Sequence, residues 1–134
     1  MAIRLLIIED DVILANTLKT ILEPEGFEIL LAESGEDGIE QARRWNPEVI
    51  LLDLMMPGMD GWQVCRAIRQ FSTTPILVQS AVINPEMVAQ ALDEGANDYL
   101  VKPTPTGVLA ARLKRLARLH RASTAQNDSG KAAG

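Results

Sequence analysis

The chain lacks paired cysteines and long hydrophobic runs. The first absence argues against a disulfide-stabilised protein, and the second argues against a membrane-spanning one. Cys65 is the single cysteine among 134 residues, so an internal disulfide is excluded and a reducing compartment is favoured. The longest apolar runs have the length of a β-strand, too short to span a bilayer. The apolar run after Arg4 ends in three acids rather than in a signal-peptide cleavage site. We therefore expect a cytoplasmic protein with no membrane partner.

Positive charge is also in short supply. There are 13 Lys and Arg residues against 18 Asp and Glu, which gives a net charge of −5. This balance argues against direct nucleic-acid binding by this domain alone. Five basic residues do cluster near the end of the chain, and we interpret them as a solvated helix face: Arg112, Lys114, Arg115, Arg118 and Arg121.

What the chain does have is a repeated alternation of strand-like and helix-like segments. The strands are predicted at about Ile3–Ile8, Phe27–Ala32, Val49–Asp53, Pro75–Gln79 and Asp98–Lys102. Repeated β-α units predict a parallel sheet with helices on both faces. The first and third strands carry the densest aliphatic runs and are expected at the centre. The predicted fold is therefore α/β, a five-stranded, doubly wound, flavodoxin-like sheet of order 2-1-3-4-5.

Polar residues mark where the helices begin and where the domain ends. Asp11, Ser34 and Asn84 each precede a helical pattern and are predicted N-caps. From about residue 121 the sequence has no large apolar side chain. We therefore expect a domain over residues 1–120 and a disordered tail or linker over residues 121–134.

Chemically active side chains follow four of the predicted strands. Glu9 and Asp10 follow the first strand, Asp53 ends the third, Ser80 follows the fourth and Lys102 ends the fifth. The carboxyl ends of parallel strands meet at one edge of a sheet, so these side chains should converge. A carboxylate such as Asp53 at the end of a buried strand needs a partner or a chemical role.

Four segments together resemble the receiver domain of two-component response regulators, over about residues 3–120. They are Ile-Ile-Glu-Asp-Asp at residues 7–11, Asp-Leu-Met-Met-Pro-Gly-Met-Asp-Gly at 53–61, Ser-Ala at 80–81 and Gly-Ala-Asn-Asp-Tyr-Leu-Val-Lys-Pro at 95–103. The resemblance implies a phosphorelay signal-transduction module rather than an enzyme. Its phosphoryl donor would be the phosphohistidine of a histidine kinase or a histidine phosphotransfer protein.

The resemblance also implies a magnesium site at the cluster of acids. Asp53 would be the nucleophile and the modified residue, a 4-aspartylphosphate. Asp10 and Asp53 would ligate Mg²⁺ directly, the carbonyl of Met55 would add a ligand, and Glu9 would act mainly through water. Three clustered carboxylates repel one another, and hard oxygen ligands suit Mg²⁺.

Further roles implied by the resemblance lie on the last two strands. Lys102 would pair first with Asp53 and then with the phosphoryl oxygens, to which Ser80 would offer its hydroxyl. Ser80 and Tyr99 would form the switch that reshapes the surface of helix 4, strand 5 and helix 5. The bond before Pro103 would be cis, a geometry that the sequence alone only permits.

Two apolar residues would flank the route of a water toward phosphorylated Asp53. By resemblance they lie two positions beyond Asp53 and Ser80, and here they are Met55 and Val82. Neither side chain can hold or activate a water, so we expect a relatively long-lived phosphate.

Two departures from the family pattern concern the last helix. Thr104 stands where the family often has Phe, and Val108 stands where the winged-helix transcription-factor class usually has an acid. Asp98 and Arg112 match one ion pair that this class uses for dimerisation. The resemblance therefore leaves open a homodimer through helix 4, strand 5 and helix 5, and an effector domain beyond the C-terminus.

Three other functions fit parts of the pattern. A haloacid-dehalogenase-like phosphatase with an aspartyl-phosphate intermediate carries Asp-x-Asp after its first strand, whereas this chain has Glu-Asp-Asp-Val and no cap domain. A phosphorylation-independent binding module would have lost the acids, Asp53 or Lys102, and all are present. An FMN-binding flavodoxin would need a Ser/Thr/Gly-rich phosphate loop after the first strand, which is missing.

Overall fold

The computed structural model describes residues 2–81 and 84–133, and it describes side chains as far as residue 124; Val82 lies outside the described residues. Its strands are β1 (Ile3–Ile8), β2 (Phe27–Ala32), β3 (Val49–Asp53), β4 (Ile76–Ser80) and β5 (Asp98–Val101). Its helices are α1 (Val12–Leu22), α2 (Gly35–Trp45), α3 (Gly61–Arg69), α4 (Pro85–Asp93) and α5 (Thr106–Ala133).

The strands form one parallel sheet in the order β2-β1-β3-β4-β5, as predicted. β3 is buried along its whole length, as expected of a central strand covered on both faces. The order reverses between β1 and β3, where Ile8 pairs with Leu52 in register. The carboxyl ends of these two strands therefore mark the position where ligands bind in sheets of this type.

Alternate residues of the central strands face two separate cores. On one face Leu6, Ile8 and Leu52 pack with side chains of α2, α3 and α4. On the other face Leu5 and Leu51 pack with side chains of α1 and α5. Each fully buried aliphatic side chain contributes about 1.5–3 kcal/mol, so the two cores fix the strand ends on which the site is built.

The helix starts follow the predicted caps. Side-chain oxygens of Asp11, Ser34 and Asn84 accept hydrogen bonds from backbone N–H groups in the first turns of α1, α2 and α4. Asp60 caps α3 in a capping box with Gln63, which the sequence reading missed. The helix α3 therefore starts at the end of the loop that follows Asp53.

The last helix crosses the predicted boundary at residue 121, and the division into a domain and a tail stays a prediction. The backbone of α5 is helical as far as Ala133. No proline interrupts this segment, and the guanidinium of Arg121 is bonded to the carboxylate of Glu48, which anchors the helix beside the start of β3. Whether residues 121–134 act as a linker stays a prediction. Among the described residues, no helix has the length and apolarity needed to cross a membrane.

Candidate functional site

Three carboxylates meet at the carboxyl edge of the sheet, as the strand ends predicted. One carboxylate oxygen from each of Glu9, Asp10 and Asp53 lies within 4.8 Å of the other two. Glu9 is 3% exposed and Asp53 is 9% exposed, whereas Asp10 is partly exposed. Three ionised carboxylates that are this close and partly buried away from solvent repel one another strongly. The donor set is therefore one that a hard divalent cation would stabilise.

The ammonium of Lys102 lies against this cluster. Its Nζ donates to Oε1 of Glu9 at 2.8 Å and lies 3.5 Å from Oδ1 of Asp53. Burial disfavours the charged ammonium, but the hydrogen bond to Glu9 and the charges of Asp53 and Glu9 outweigh it, so the pKa of Lys102 is raised. The resemblance implies that Lys102 pairs with Asp53. The structure shows that contact and adds a shorter one to Glu9.

The surroundings of Asp10 disfavour its ionised form, chiefly through burial. Burial, a hydrogen bond with Glu9 and the nearby charges of Glu9 and Asp11 raise the pKa of Asp10, although a backbone hydrogen bond opposes the shift. Asp53 accepts a hydrogen bond from the backbone N–H of Met55 at 3.3 Å. The acids thus fit Mg²⁺ by their charge and donor type. The roles assigned to single ligands, including the Met55 carbonyl, stay predictions.

The ends of β4 and β5 complete the site. Ser80 is fully buried at the last position of β4, in register with Val101. The backbone N–H of Lys102 donates to the carbonyl of Ser80 at 2.8 Å, and the bond from Lys102 to Pro103 is cis, as the resemblance implied. Tyr99 lies half-buried in β5. The two proposed switch residues therefore lie on adjacent strands, and the backbone of Ser80 is hydrogen-bonded to the backbone of Lys102.

The surface of α4, β5 and α5 combines an ion pair with an exposed apolar side chain. Nη1 of Arg112 donates to Oδ2 of Asp98 at 2.8 Å, so the pair expected from the sequence is formed. Val108 is 43% exposed on α5. A homodimer through this surface stays a prediction.

One polar contact beside the site was missed by the sequence reading. Gln79 is 5% exposed, and its Nε2 donates to the hydroxyl of Thr104 at 3.4 Å. The available signal was a polar residue directly after the apolar run Ile76–Val78. Its partner could not be read from the sequence because the two residues are 25 positions apart.

The sequence matches one family along most of its length. The family model described as "Response regulator receiver domain" matches residues 5–114. The transcriptional regulatory protein AfsQ1 of Streptomyces coelicolor is 41% identical over 114 residues, which are 85% of this chain and 51% of that protein. The DNA-binding response regulator MtrA of Mycobacterium tuberculosis is 39% identical over 118 residues, 88% of this chain and 51% of that protein. The chain thus spans about half the length of these relatives.

Solved structures show the same architecture. A receiver domain of the Francisella response regulator 1452 superposes with a TM-score of 0.82 at 31% identity, covering 87% of this chain and 97% of that one. A two-component response regulator from Clostridium difficile superposes with a TM-score of 0.82 at 32% identity, covering 87% and 96%. Both solved structures therefore share the fold of most of this chain.

Proposed function

The chain belongs to the response regulator receiver domain family, and we propose that this phosphoacceptor module takes a phosphoryl group onto Asp53 from the phosphohistidine of a kinase or phosphotransfer protein. The observation that carries the assignment is the position of Asp53. It ends a buried central strand within 4.8 Å of two other acids and 3.5 Å from the ammonium of Lys102.

The transfer asks three things of the site: a nucleophile, neutralised charge and alignment. A carboxylate oxygen of Asp53 forms the new bond to phosphorus while the bond from phosphorus to the donor's histidine nitrogen breaks. Glu9 and Asp10 would hold Mg²⁺ together with Asp53, and the bound ion would offset charge on the phosphoryl oxygens. The ammonium of Lys102 already lies partly buried beside Asp53, so its charge is in place before the phosphoryl group arrives.

We propose that Ser80 and Tyr99 carry the signal to the surface of α4, β5 and α5. A ligand shifts a conformational equilibrium only through contacts that differ between two states. The hydroxyl of Ser80 would gain such a contact with a phosphoryl oxygen. Tyr99, in register with the residue two before Ser80, would then change its packing in β5.

The output beyond this surface is proposed from the relatives. MtrA is described as DNA-binding, and the chain spans about half of it, so an attached effector domain would account for the remaining length. The family match favours a signalling module over the phosphatase and the phosphorylation-independent binding module. Cytoplasmic location fits a kinase partner and stays part of the proposal.

The assignment of Asp53 is tested by mass spectrometry after incubation with acetyl phosphate and MgCl₂. The unmodified sequence should gain one phosphoryl group, and Asp53→Asn should gain none. Asp60→Asn is the matched control, because Asp60 lies in the same loop and asparagine also caps a helix. Undiminished phosphorylation of Asp53→Asn would show that another residue is the acceptor.

A further inference from the structure

Gln79 is an unusual side chain for its position. It lies in the buried strand β4 next to β3 and is only 5% exposed. Burying an amide in an apolar setting costs free energy unless the amide is hydrogen-bonded. An aliphatic side chain would avoid that cost in a strand whose preceding residues, Ile76–Val78, are all apolar and buried. The contacts of Gln79 therefore need a functional explanation.

Through its backbone, Gln79 is tied to the phosphoacceptor strand. It lies in register with Asp53, and its carbonyl accepts a hydrogen bond at 3.0 Å from the backbone N–H of Leu54. The residue thus fixes the point where the chain leaves β3 and enters the loop after Asp53.

Through its side chain, Gln79 is linked by hydrogen bonds to residues on either side of Lys102 in the sequence, which are Val101 and Thr104. Nε2 of Gln79 donates to the hydroxyl of Thr104 at 3.4 Å, and that hydroxyl donates to the carbonyl of Val101 at 2.9 Å. This carbonyl belongs to the peptide group that joins Val101 to Lys102. The N–H of the same peptide group donates to the carbonyl of Ser80 at 2.8 Å. Both polar atoms of the peptide that carries Lys102 are therefore held.

A pocket borders this segment on the side of Thr104. A cavity of about 230 Å³ lies there between α1 and α5, bordered by Leu14, Leu18 and Leu109 together with Pro103 and Thr104. Side chains that line a pocket have fewer van der Waals partners on its open side. The hydrogen bonds of this peptide group therefore help to orient the chain around Lys102.

We propose that Gln79 and Thr104 are positioning residues that hold the Lys102 ammonium beside Asp53. They act through the Val101 carbonyl and do not touch the phosphoryl group themselves. The proposal rests on the proposed function, since it assigns how the lysine of that site is aligned. It also explains a buried amide on β4, because the amide links the strand beside Asp53 to the turn after Lys102.

The kinetic test measures the rate constant of phosphorylation at saturating acetyl phosphate and MgCl₂. Thr104→Val removes the hydroxyl and keeps the branched shape, and we expect a roughly threefold to tenfold lower rate constant. Gln79→Met should slow the reaction in the same direction, and the double variant should be no slower than Thr104→Val. Thr104→Ser keeps the hydroxyl and should restore most of the rate.

Thr17→Val is the matched control. Thr17 borders the same cavity, and its hydroxyl donates to the carbonyl of Ile13 within α1, so the change removes a hydroxyl without touching the lysine segment. Its rate constant should equal that of the unmodified protein. An unchanged rate constant in Thr104→Val, or equal slowing in Thr104→Ser, would overturn the proposal.

A crystal structure of Thr104→Val tests the positioning separately from phosphorylation. We expect Nζ of Lys102 to move away from its 2.8 Å contact with Glu9 and its 3.5 Å approach to Asp53. An unmoved lysine would overturn the proposal even if the rate falls. If the unmodified protein takes up no phosphoryl group, the proposed function fails, and the crystal structure still decides the positioning.

Discussion

Replacing Asp10 by asparagine should stabilise the metal-free protein and remove most of its response to Mg²⁺. Asp10 belongs to the cluster of three acids, and its pKa is raised, first by burial and then by its contact with Glu9. Since the folded-state pKa is higher than the unfolded one, ionised Asp10 costs stability at neutral pH. The cost fades as the pH falls below the folded-state pKa. Asparagine keeps the shape and removes the charge.

The size of the effect follows from the spacing of the acids. Two like charges 4.8 Å apart repel by about 3.5 kcal/mol at an effective dielectric constant of about 20. Asp10 is partly exposed, so solvent screening lowers this value, and we expect a gain of about 1 kcal/mol in the free energy of unfolding. For a chain of this length that gain raises the melting temperature by roughly 4 °C.

Magnesium should reverse the order of stabilities. At about 100 times its Kd, a ligand bound only by the folded state adds about 2.7 kcal/mol, or roughly 10 °C here. We expect this gain in the unmodified protein and little of it in Asp10→Asn. Glu9→Gln should retain more of it, in keeping with a water-mediated role.

The assay is thermal unfolding followed by circular dichroism at pH 7 and low ionic strength, in EDTA and then in MgCl₂. Asp11→Asn is the matched control. It removes the same charge one residue away, and asparagine can still cap α1, as the carboxylate does for the N–H of Leu14. If Asp10→Asn is less stable than the unmodified protein in EDTA and gains as much from MgCl₂, the reasoning about the cluster is wrong.

Four shorter predictions concern other residues. A beryllofluoride mimic should shift NMR signals across α4, β5 and α5, and Ser80→Ala should abolish those shifts while leaving signals of the metal loop responsive. Met55, whose side chain is 54% exposed, should shield the phosphate, so Met55→Asn should speed its loss; an unchanged half-life would contradict this. The pKa of Glu48 is lowered, chiefly by the hydrogen bond from Arg121. The pair therefore stabilises the protein above about pH 4.5, and this stabilisation is lost as the pH falls further. In urea unfolding at decreasing pH, Glu48→Gln should not show this loss of stability. Burial raises the pKa of Cys65 to about 12, so its thiol should react with a disulfide reagent at pH 8 only after unfolding, and prompt reaction of the native protein would count against it.

The fold could be predicted because local and long-range signals agree. The apolar run at Ile3–Ile8 can only be a buried strand once the helical stripes beside it are recognised, and its density places it centrally. The boundaries of β4 differ by one residue from the predicted ones. The predicted strand began at Pro75, whose carbonyl does accept from the N–H of Ile50, but proline has no N–H to continue the ladder. The observed strand begins one residue later.

The sequence predicts which residues meet at the site, but it does not predict which of them contact one another. Strand ends fixed which residues meet, and that was enough to bring together Glu9, Asp10, Asp53 and Lys102. The closer contact of Lys102 with Glu9 depends on side-chain length and rotamer, which sequence patterns do not report. The bond between Arg121 and Glu48 joins residues 73 positions apart. Composition alone could therefore not show that the helix continues past residue 120.

The anchor of α5 determines where any attached polypeptide would leave the molecule. Glu48 immediately precedes β3 and Asp53 ends it, so the anchor and the phosphoacceptor are separated by a five-residue strand, about 17 Å long. A polypeptide that continued beyond α5 would leave the domain at the pole where β3 begins, which is the end of the sheet opposite to Asp53. A tethered domain would therefore begin at the end of the sheet opposite to the one at which a kinase reaches Asp53. Communication between the two poles would then have to pass through the body of the domain.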